Sequence, residues 1–285
     1  MANRNKNTVN KASEWMEYGV EYKAGKVKAP LFGYIPKLIP VDTNGKVGDA
    51  GTWSMSHGND TYKVEDMGDK TRSVMECAGL TSIQGSCPCH CDDCYCDNGR
   101  YRMDPIKAAN MRKLILAKLY PEWTEKAITA QIKIEGIKQV RIHASGDFFS
   151  PEYVDMWRRI VIACDGTTFW TYTKYEYALN AFRDLDNITI TPSVLPMKKG
   201  FNFGTCAELL DKYHALIKAG YRVHICACGT NMETHCSDCK HGCKAIGKEC
   251  DYVLFIKHST ANYKAGKTDP VEYAKVCEII ARQAN

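Results

Sequence analysis

The sequence predicts an α/β protein built on a parallel sheet. Strand-like and helical stretches alternate from about residue 72 onward, and capping pairs mark where helices start between the strands. Thiol and polar residues follow the carboxyl ends of successive strands, which is where parallel α/β folds bind ligands. At 285 residues the chain can bury a large core without staples. Its 45% hydrophobic and 25% charged content is that of a globular protein, not a disordered one. Periodicity does not reveal whether the sheet closes into a barrel.

Residues 1–71 read as an N-terminal extension of loops and short elements, because Gly, Asn, Asp and Pro recur, as in FGYIPKLIPVDTNGKVGDAG. Residues 72–285 carry the α/β body, with a cysteine-rich insertion at 226–250. The apolar segment SVMECAGLTS (73–82) counts as the first strand and leads into a cysteine cluster. Asp104-Pro105 reads as an N-cap with proline at the first helical position, opening a helix with Ala108, Met111, Ile115 and Leu119 on one face. A second helix is expected near 124–135. QVRIHAS alternates as a strand and stops at Gly146-Asp147, and Ser150-Pro151 opens a helix with Val154, Trp157, Val161 and Cys164 at core spacing.

TTFWTYT is the next strand, and Ala178, Leu179 and Phe182 mark a short helix. NITITPSV follows as a strand. Thr205 and Glu208 form a capping box whose helix runs to Ala219 and stops at Gly220. YRVHICAC and YVLFIKH are the last two strands, and Asp269-Pro270 opens a final helix with Ala274, Cys277 and Ile280 inward. Six strands result, nearly all separated by helices. The residues at their carboxyl ends are the Cys87 cluster, Ser145-Gly146-Asp147, Thr173-Lys174, Ser193, Cys226 with Cys228, and His258. Lone His143, His224 and His258 lie in strand contexts, where satisfied core histidines are commoner than ligands.

No apolar run is long enough to cross a bilayer and the N-terminus lacks a secretory h-region, so a cytoplasmic protein without membrane contact is expected. A reducing compartment does not keep fifteen cysteines as disulfides, and eleven of them fall in two clusters, 87–96 and 226–250. Such clustering points to metal. Cys77, Cys164, Cys206 and Cys277 stand singly in apolar patterns and read as small core residues. The net charge of +5 is mild; residues 1–30 hold six basic and three acidic side chains, read as a solvated arm able to touch a polyanion.

In SCPCHCDDCYC (86–96), Cys87, Cys91 and Cys94 form C-x3-C-x2-C, a spacing that lets a short loop wrap three thiolates around one corner of a [4Fe-4S] cubane. Zinc remains open on spacing, with Cys89, His90 or Cys96 as the closing ligand. Cys89 and Cys96 are further candidates in either case. In the second cluster, Cys236-x2-Cys239-x3-Cys243-x6-Cys250 signals a second metal site, zinc or a second iron–sulfur cluster, with Cys226 and Cys228 as additional candidates.

With its position between a strand and a helix, and with Cys94-Tyr95 like the C-Y-A or C-F-A ending of the spore photoproduct lyase-like branch, the loop resembles that of the radical S-adenosylmethionine superfamily. Residues 72–258 also resemble a phage and plasmid protein family, on RIHASGDFFSPEYVDMW, FWTYTK and CSDCKHGCKAIGKEC. The resemblance implies a partial (β/α)6 TIM-like barrel, S-adenosylmethionine on the open iron, and an electron donor such as flavodoxin or ferredoxin. It further implies reductive cleavage to a 5′-deoxyadenosyl radical that abstracts hydrogen from a substrate, a nucleotide, nucleic acid or peptide, with nucleic acid favoured by the phage and plasmid likeness. Ser145, Gly146 and Asp147 would stand beside the cofactor's amino group, and Thr173, Lys174 and Ser193 near its carboxylate or ribose. Two other functions compete: a non-catalytic zinc-binding protein that touches nucleic acid, and an iron–sulfur protein that works without S-adenosylmethionine.

Overall fold

The computed structural model describes residues 4–41, 48–89, 94–97, 99–193, 200–203, 205–226, 250–256 and 269–283. Its contacts divide the chain into two compact units, 1–41 with 51–188 and 42–50 with 189–285.

The first unit opens on helix α1 (Arg4–Glu17), an element the weak periodicity did not announce. Its Trp15 is buried and stacks on Tyr22, with ring centroids 5.2 Å apart. An antiparallel meander follows: β1 (Tyr22–Lys23), β2 (Lys26–Ala29) and β3 (Gly33–Pro36). Then comes β4 (Gly51–Ser54), which pairs in parallel with the later strand at Gln139–Ser145. The first strand of the parallel sheet thus comes from the stretch read as extension. β5 (Thr61–Lys63) and β6 (Ser82–Gln84) form a small antiparallel pair around helix α2 (Asp69–Cys77).

Residues 73–77 of SVMECAGLTS therefore end a helix, and only Ser82 of that segment enters a strand. The cause lies far away in sequence. Asp104 accepts hydrogen bonds from the Lys70 and Thr71 backbone N–H groups (2.8 and 3.1 Å) and from the Thr71 hydroxyl (2.6 Å), capping α2 at its first turn. Val74 and Met75 are buried along that helix. The same carboxylate is therefore not the cap of its own helix: α3 (Asp104–Leu119) has Met103 at the N-cap and Asp104 as its first residue. Cys77 is exposed rather than core, its thiol 3.2 Å from the Leu31 carbonyl.

α4 (Pro121–Glu135) ends on Gly136 in the left-handed region, φ +63°. Gln131 of α4 is buried and both donates to the Ile39 carbonyl (2.6 Å) and accepts from the Ile39 N–H (2.9 Å), tying the helix to the segment before β4. β7 (Gln139–Ser145), α5 (Pro151–Ala163), β8 (Thr168–Thr173) and α6 (Glu176–Ala181) follow as expected. Ser150 caps α5 by accepting from the Tyr153 N–H at 3.2 Å. With β9 (Ile188–Pro192), the strands lie in the order β4-β7-β8-β9, so each crossover returns the chain beside the strand just made. Trp53, Ile142, Trp157, Phe169 and Trp170 fill the core of this unit.

In the second unit, β10 (Gly200–Phe203), β11 (Val223–Ile225) and β12 (Tyr252–Ile256) form a parallel sheet in the order β10-β12-β11. β10 is a strand that the alternation did not foretell. α7 (Cys206–Lys218) carries the expected capping box, Thr205 with Glu208. Asp269 caps α8 (Pro270–Gln283), accepting from the Val271 N–H at 2.7 Å. The inward face of α8 runs through Val276 and Ile280; Ala274 is exposed and Cys277 half-buried, one position away from the expected stripe. Among the described residues, no helix is long and apolar enough to cross a membrane.

Candidate metal and cofactor site

The carboxyl ends of β4 and β7 lie side by side, and their register breaks there. Trp53 pairs with Ile142 but Ser54 pairs with Ser145, so two extra residues of β7 bulge at the rim. Beyond the break the strands remain tied: the Met55 N–H donates to the Ser145 carbonyl and the Ser145 hydroxyl to the Met55 carbonyl, both at 2.9 Å.

The start of the cysteine loop is fastened to this rim. Ser86, fully buried, donates its hydroxyl to the Ser56 carbonyl at 2.6 Å. The Cys87 N–H donates to the Gly58 carbonyl (2.9 Å), and the Gly58 N–H in turn donates to the Cys87 sulfur at 3.2 Å. Two glycines make the approach possible. A Cβ on Gly85 would stand 2.3 Å from the Gly58 carbonyl oxygen, and one on Gly146, φ +84°, would stand 2.4 Å from the Ser86 hydroxyl. At Gly146, expected beside a cofactor's amino group, the close approach is made by the protein's own loop. Past the loop, the Tyr101 hydroxyl donates to the Ala144 carbonyl at 3.0 Å, tying the chain back to β7. Burial pushes that phenol up to about 12, with the Cys96 thiol adding to the shift.

The described thiols of this cluster are Cys87, Cys89, Cys94 and Cys96; His90 and Cys91 lie outside the described residues. Cys94 is half-buried, and its thiol is pulled down to about 6, first by a hydrogen bond from the Cys96 side chain and then by the Cys96 backbone N–H and nearby His57, against the effect of burial. Cys96 itself is buried. A thiolate-leaning Cys94 and a Cys87 sulfur that already accepts an N–H form the donor chemistry that iron or zinc takes. Tyr62 sits in the same pocket and donates to the His57 carbonyl. Its phenol is raised, first by burial and then by the Cys87, Asp97, Asp60 and Cys96 charges.

Asp147 is buried, 5% exposed, and three donors surround it: the Phe148 N–H (2.7 Å), the Thr173 hydroxyl (2.6 Å) and the Lys174 N–H (2.8 Å). Burial pushes this carboxyl up to about 6 against the pull of those donors. Its work is to join the ends of β7 and β8. The expected residues Ser145, Gly146, Asp147, Thr173 and Lys174 are therefore brought together, with Asp147 and Thr173 engaged with each other. Ser193, half-buried just after β9, belongs to the second unit.

Beneath the rim His143 is buried, its Nε2 3.0 Å from the Tyr153 hydroxyl, and burial depresses the imidazole to about 3, so it is a neutral core histidine. In the second unit, Cys226 at the end of β11 and Cys250 just before β12 are both buried in one cluster with Val253. Cys228, Cys236, Cys239 and Cys243 lie outside the described residues, as does His258.

Sequence reasoning missed His57. A ring nitrogen, the Cys94 sulfur and an Asp97 carboxylate oxygen all lie within 4.8 Å of one another. No motif flags a lone histidine thirty residues ahead of the loop; the antiparallel pairing of β5 with β6 and the Gly58–Cys87 hydrogen bonds bring it there.

Fold and site together define a mixed α/β protein that carries a cysteine-rich loop on the carboxyl rim of a parallel sheet. The chain belongs to the Gene product 88 family, whose profile matches residues 43–258 and so spans both cysteine clusters and the rim. It is similar to the Gene 88 protein of Mycobacterium phage L5, 42% identical over 62 residues, which is 21% of this chain and 26% of that protein. With the Gene 88 protein of Mycobacterium phage D29 it shares 46% identity over 41 residues, 14% of this chain and 17% of the relative. The matched segments thus span about a quarter or less of these curated relatives. No solved structure matches. The phage part of the expected resemblance is borne out.

Proposed function

We propose that this is an iron–sulfur enzyme of the radical S-adenosylmethionine kind, with a [4Fe-4S] cluster held by Cys87, Cys91 and Cys94. The observation that carries the reading is the anchoring of the cysteine loop beyond the carboxyl end of β4, Cys87 on Gly58 and Cys94 beside His57, with Ser86 against Gly146 at the end of β7. That rim is where parallel α/β folds collect catalytic groups. The order β4-β7-β8-β9 supports a singly wound sheet, the winding of a partial barrel, whereas doubly wound sheets reverse direction from their first strand. When bound, the cluster and S-adenosylmethionine would supply the electron and the radical precursor. The chain's own part is to fix the loop through Ser86, Gly85 and Tyr101, keep Cys94 near its thiolate form, and brace the rim through Asp147 and Thr173. Lys174, whose N–H is spent on Asp147, would offer its ammonium to a carboxylate or ribose.

The stretch read as a solvated arm folds instead into α1 and the β1–β3 meander; the substrate proposed is a nucleotide or nucleic acid, on the phage relatives and the excess of basic side chains in residues 1–30, and the electron donor is of the flavodoxin or ferredoxin class. The paired burial of Cys226 and Cys250 supports a second metal, zinc or iron–sulfur, in the carboxy-terminal unit. Purification without oxygen, iron and sulfide analysis, and a titration with S-adenosylmethionine test the reading. A brown protein whose reduced-cluster resonance shifts on titration is expected. Colourless protein holding zinc would return the chain to the non-catalytic reading, and brown protein indifferent to S-adenosylmethionine would leave an iron–sulfur protein of another kind.

A further inference from the structure

We propose that the groove between α2 and α3 is a second ligand site, apart from the cysteine loop, and that it takes a small molecule with an apolar body and one oxyanion head, a carboxylate or phosphate, held by Arg112. The inference goes beyond the iron–sulfur reading and does not depend on it.

The groove follows from the sequence of the two helices. Asp104 caps α2 from the first residue of α3, so the two helices start side by side. Facing the groove, α3 offers Ala108 and Ala109, and side chains this small leave space that Ser73 and Val74 of α2 do not fill. The cavity is about 500 Å³, in the range of small-molecule sites. Its floor is apolar, with Val74 and Ala108 buried. From Asp69 to Cys77 the wall formed by α2 runs about 12 Å.

One end is closed by a strained turn. The Phe32 N–H donates to the Pro30 carbonyl at 2.8 Å, a three-residue γ-turn whose middle residue, Leu31, has φ +66°. A leucine in the left-handed region is uncommon and stores backbone strain. The Cys77 thiol fastens this turn to α2 through the Leu31 carbonyl, 3.2 Å away. The turn in turn sets the Phe32 ring against Arg112, whose guanidinium carbon lies 5.6 Å from the ring centroid.

Arg112 makes the groove more than a packing gap. Its Nε is buried, and among the described residues its guanidinium has no hydrogen-bond or ion-pair partner. Burial disfavours its charged form, while the Cys77 thiol acts the other way. A half-buried guanidinium without an acceptor is costly for the chain on its own, and a carboxylate or phosphate supplies two acceptors to its planar fork. At the other end Asp69 and Lys70 offset each other, which leaves the positive charge at the Arg112 end and makes a single head group the match. The apolar floor between them favours a hydrocarbon body.

The test uses the full chain and three probes, octanoate, octyl phosphate and octanamide, in isothermal calorimetry. Both anions are expected to bind at least about tenfold tighter than the amide. The tighter of the two identifies the head as carboxylate or phosphate. Arg112→Met should bind octanoate no better than the amide, and its melting temperature without ligand should not fall, since the substitution removes an unpaired charge. Arg112→Lys should keep part of the preference. Equal affinity for anion and amide, or no saturable binding of either anion, overturns the inference. A preference for anions that survives Arg112→Met overturns it too. A further readout needs no variant: saturating octanoate should slow alkylation of Cys77, followed by peptide mass mapping, and octanamide at the same concentration should not. Octanoate that binds and leaves the Cys77 rate unchanged occupies another place, and the inference fails.

Discussion

Asp147 shows how one side chain can be read correctly by place and incompletely by role. Its position after a strand and before a helix marks it as a rim residue, but Thr173 and Lys174, which saturate it, stand a whole helix and strand later. The balance it strikes is measurable. An unfolded aspartate titrates near about 4, whereas burial lifts this one to about 6. The folded chain therefore holds the proton more tightly. Stability from this group is fully present below the unfolded value and is lost as pH rises through the folded one. Asp147→Asn cannot titrate. Across roughly pH 4 to 7 the unfolding free energy of the wild type should fall relative to that variant by about 1–3 kcal/mol, read by denaturant melts at each pH. A difference that stays flat would mean that the three hydrogen bonds outweigh burial and keep the carboxylate ionised throughout.

Elements meet at Gly146, where the end of β7 touches the start of the cysteine loop. Alanine there must adopt φ near +84° and place its Cβ 2.4 Å from the Ser86 hydroxyl. We expect Gly146→Ala to lose about 1–3 kcal/mol, and to lose less when introduced into a Ser86→Ala chain than into the wild type, the difference being the part due to the contact. A thermal melt of the single variant that matches the wild type would show that loop and strand do not press together. Most of the α/β alternation was open to reading because α5 and α7 carry their caps within their own first turn, at Ser150 and at Thr205 with Glu208. What escaped was set from afar. Asp104 caps a helix 34 residues earlier, so SVMECAGLTS, five apolar residues in a short stretch, passes for a strand. β4 hid in a stretch of glycines and prolines because its neighbour in the sheet, β7, comes almost ninety residues later. His57 escaped too, for it reaches the loop through the pairing of β5 with β6 and the sequence offers no local signal for it.

At the scale of the whole molecule, the two thiol clusters belong to different compact units. Cys87 on Gly58 and Cys94 beside His57 lie in the first, and Cys226 and Cys250, next to β11 and β12, in the second. Each group has its own anchoring: the first depends on Ser86, Gly58 and Tyr101, the second on a buried cluster with Val253 and on the Cys226 N–H donating to the Leu254 carbonyl at 2.8 Å. Metal binding is coupled to the folding of the chain segment that supplies the ligands, and here those segments share no residue. On the proposed function, Cys87→Ser should therefore strip the metal proposed for the amino-terminal loop while that proposed for the 226–250 region stays at its wild-type amount per chain. Metal and sulfide analysis of the folded variant reads this directly, and a parallel Cys250→Ser chain should show the reverse loss. If either substitution empties both sites while circular dichroism stays that of the folded protein, the two clusters act as one shared centre, and the assignment of Cys226 and Cys250 to a separate metal is wrong.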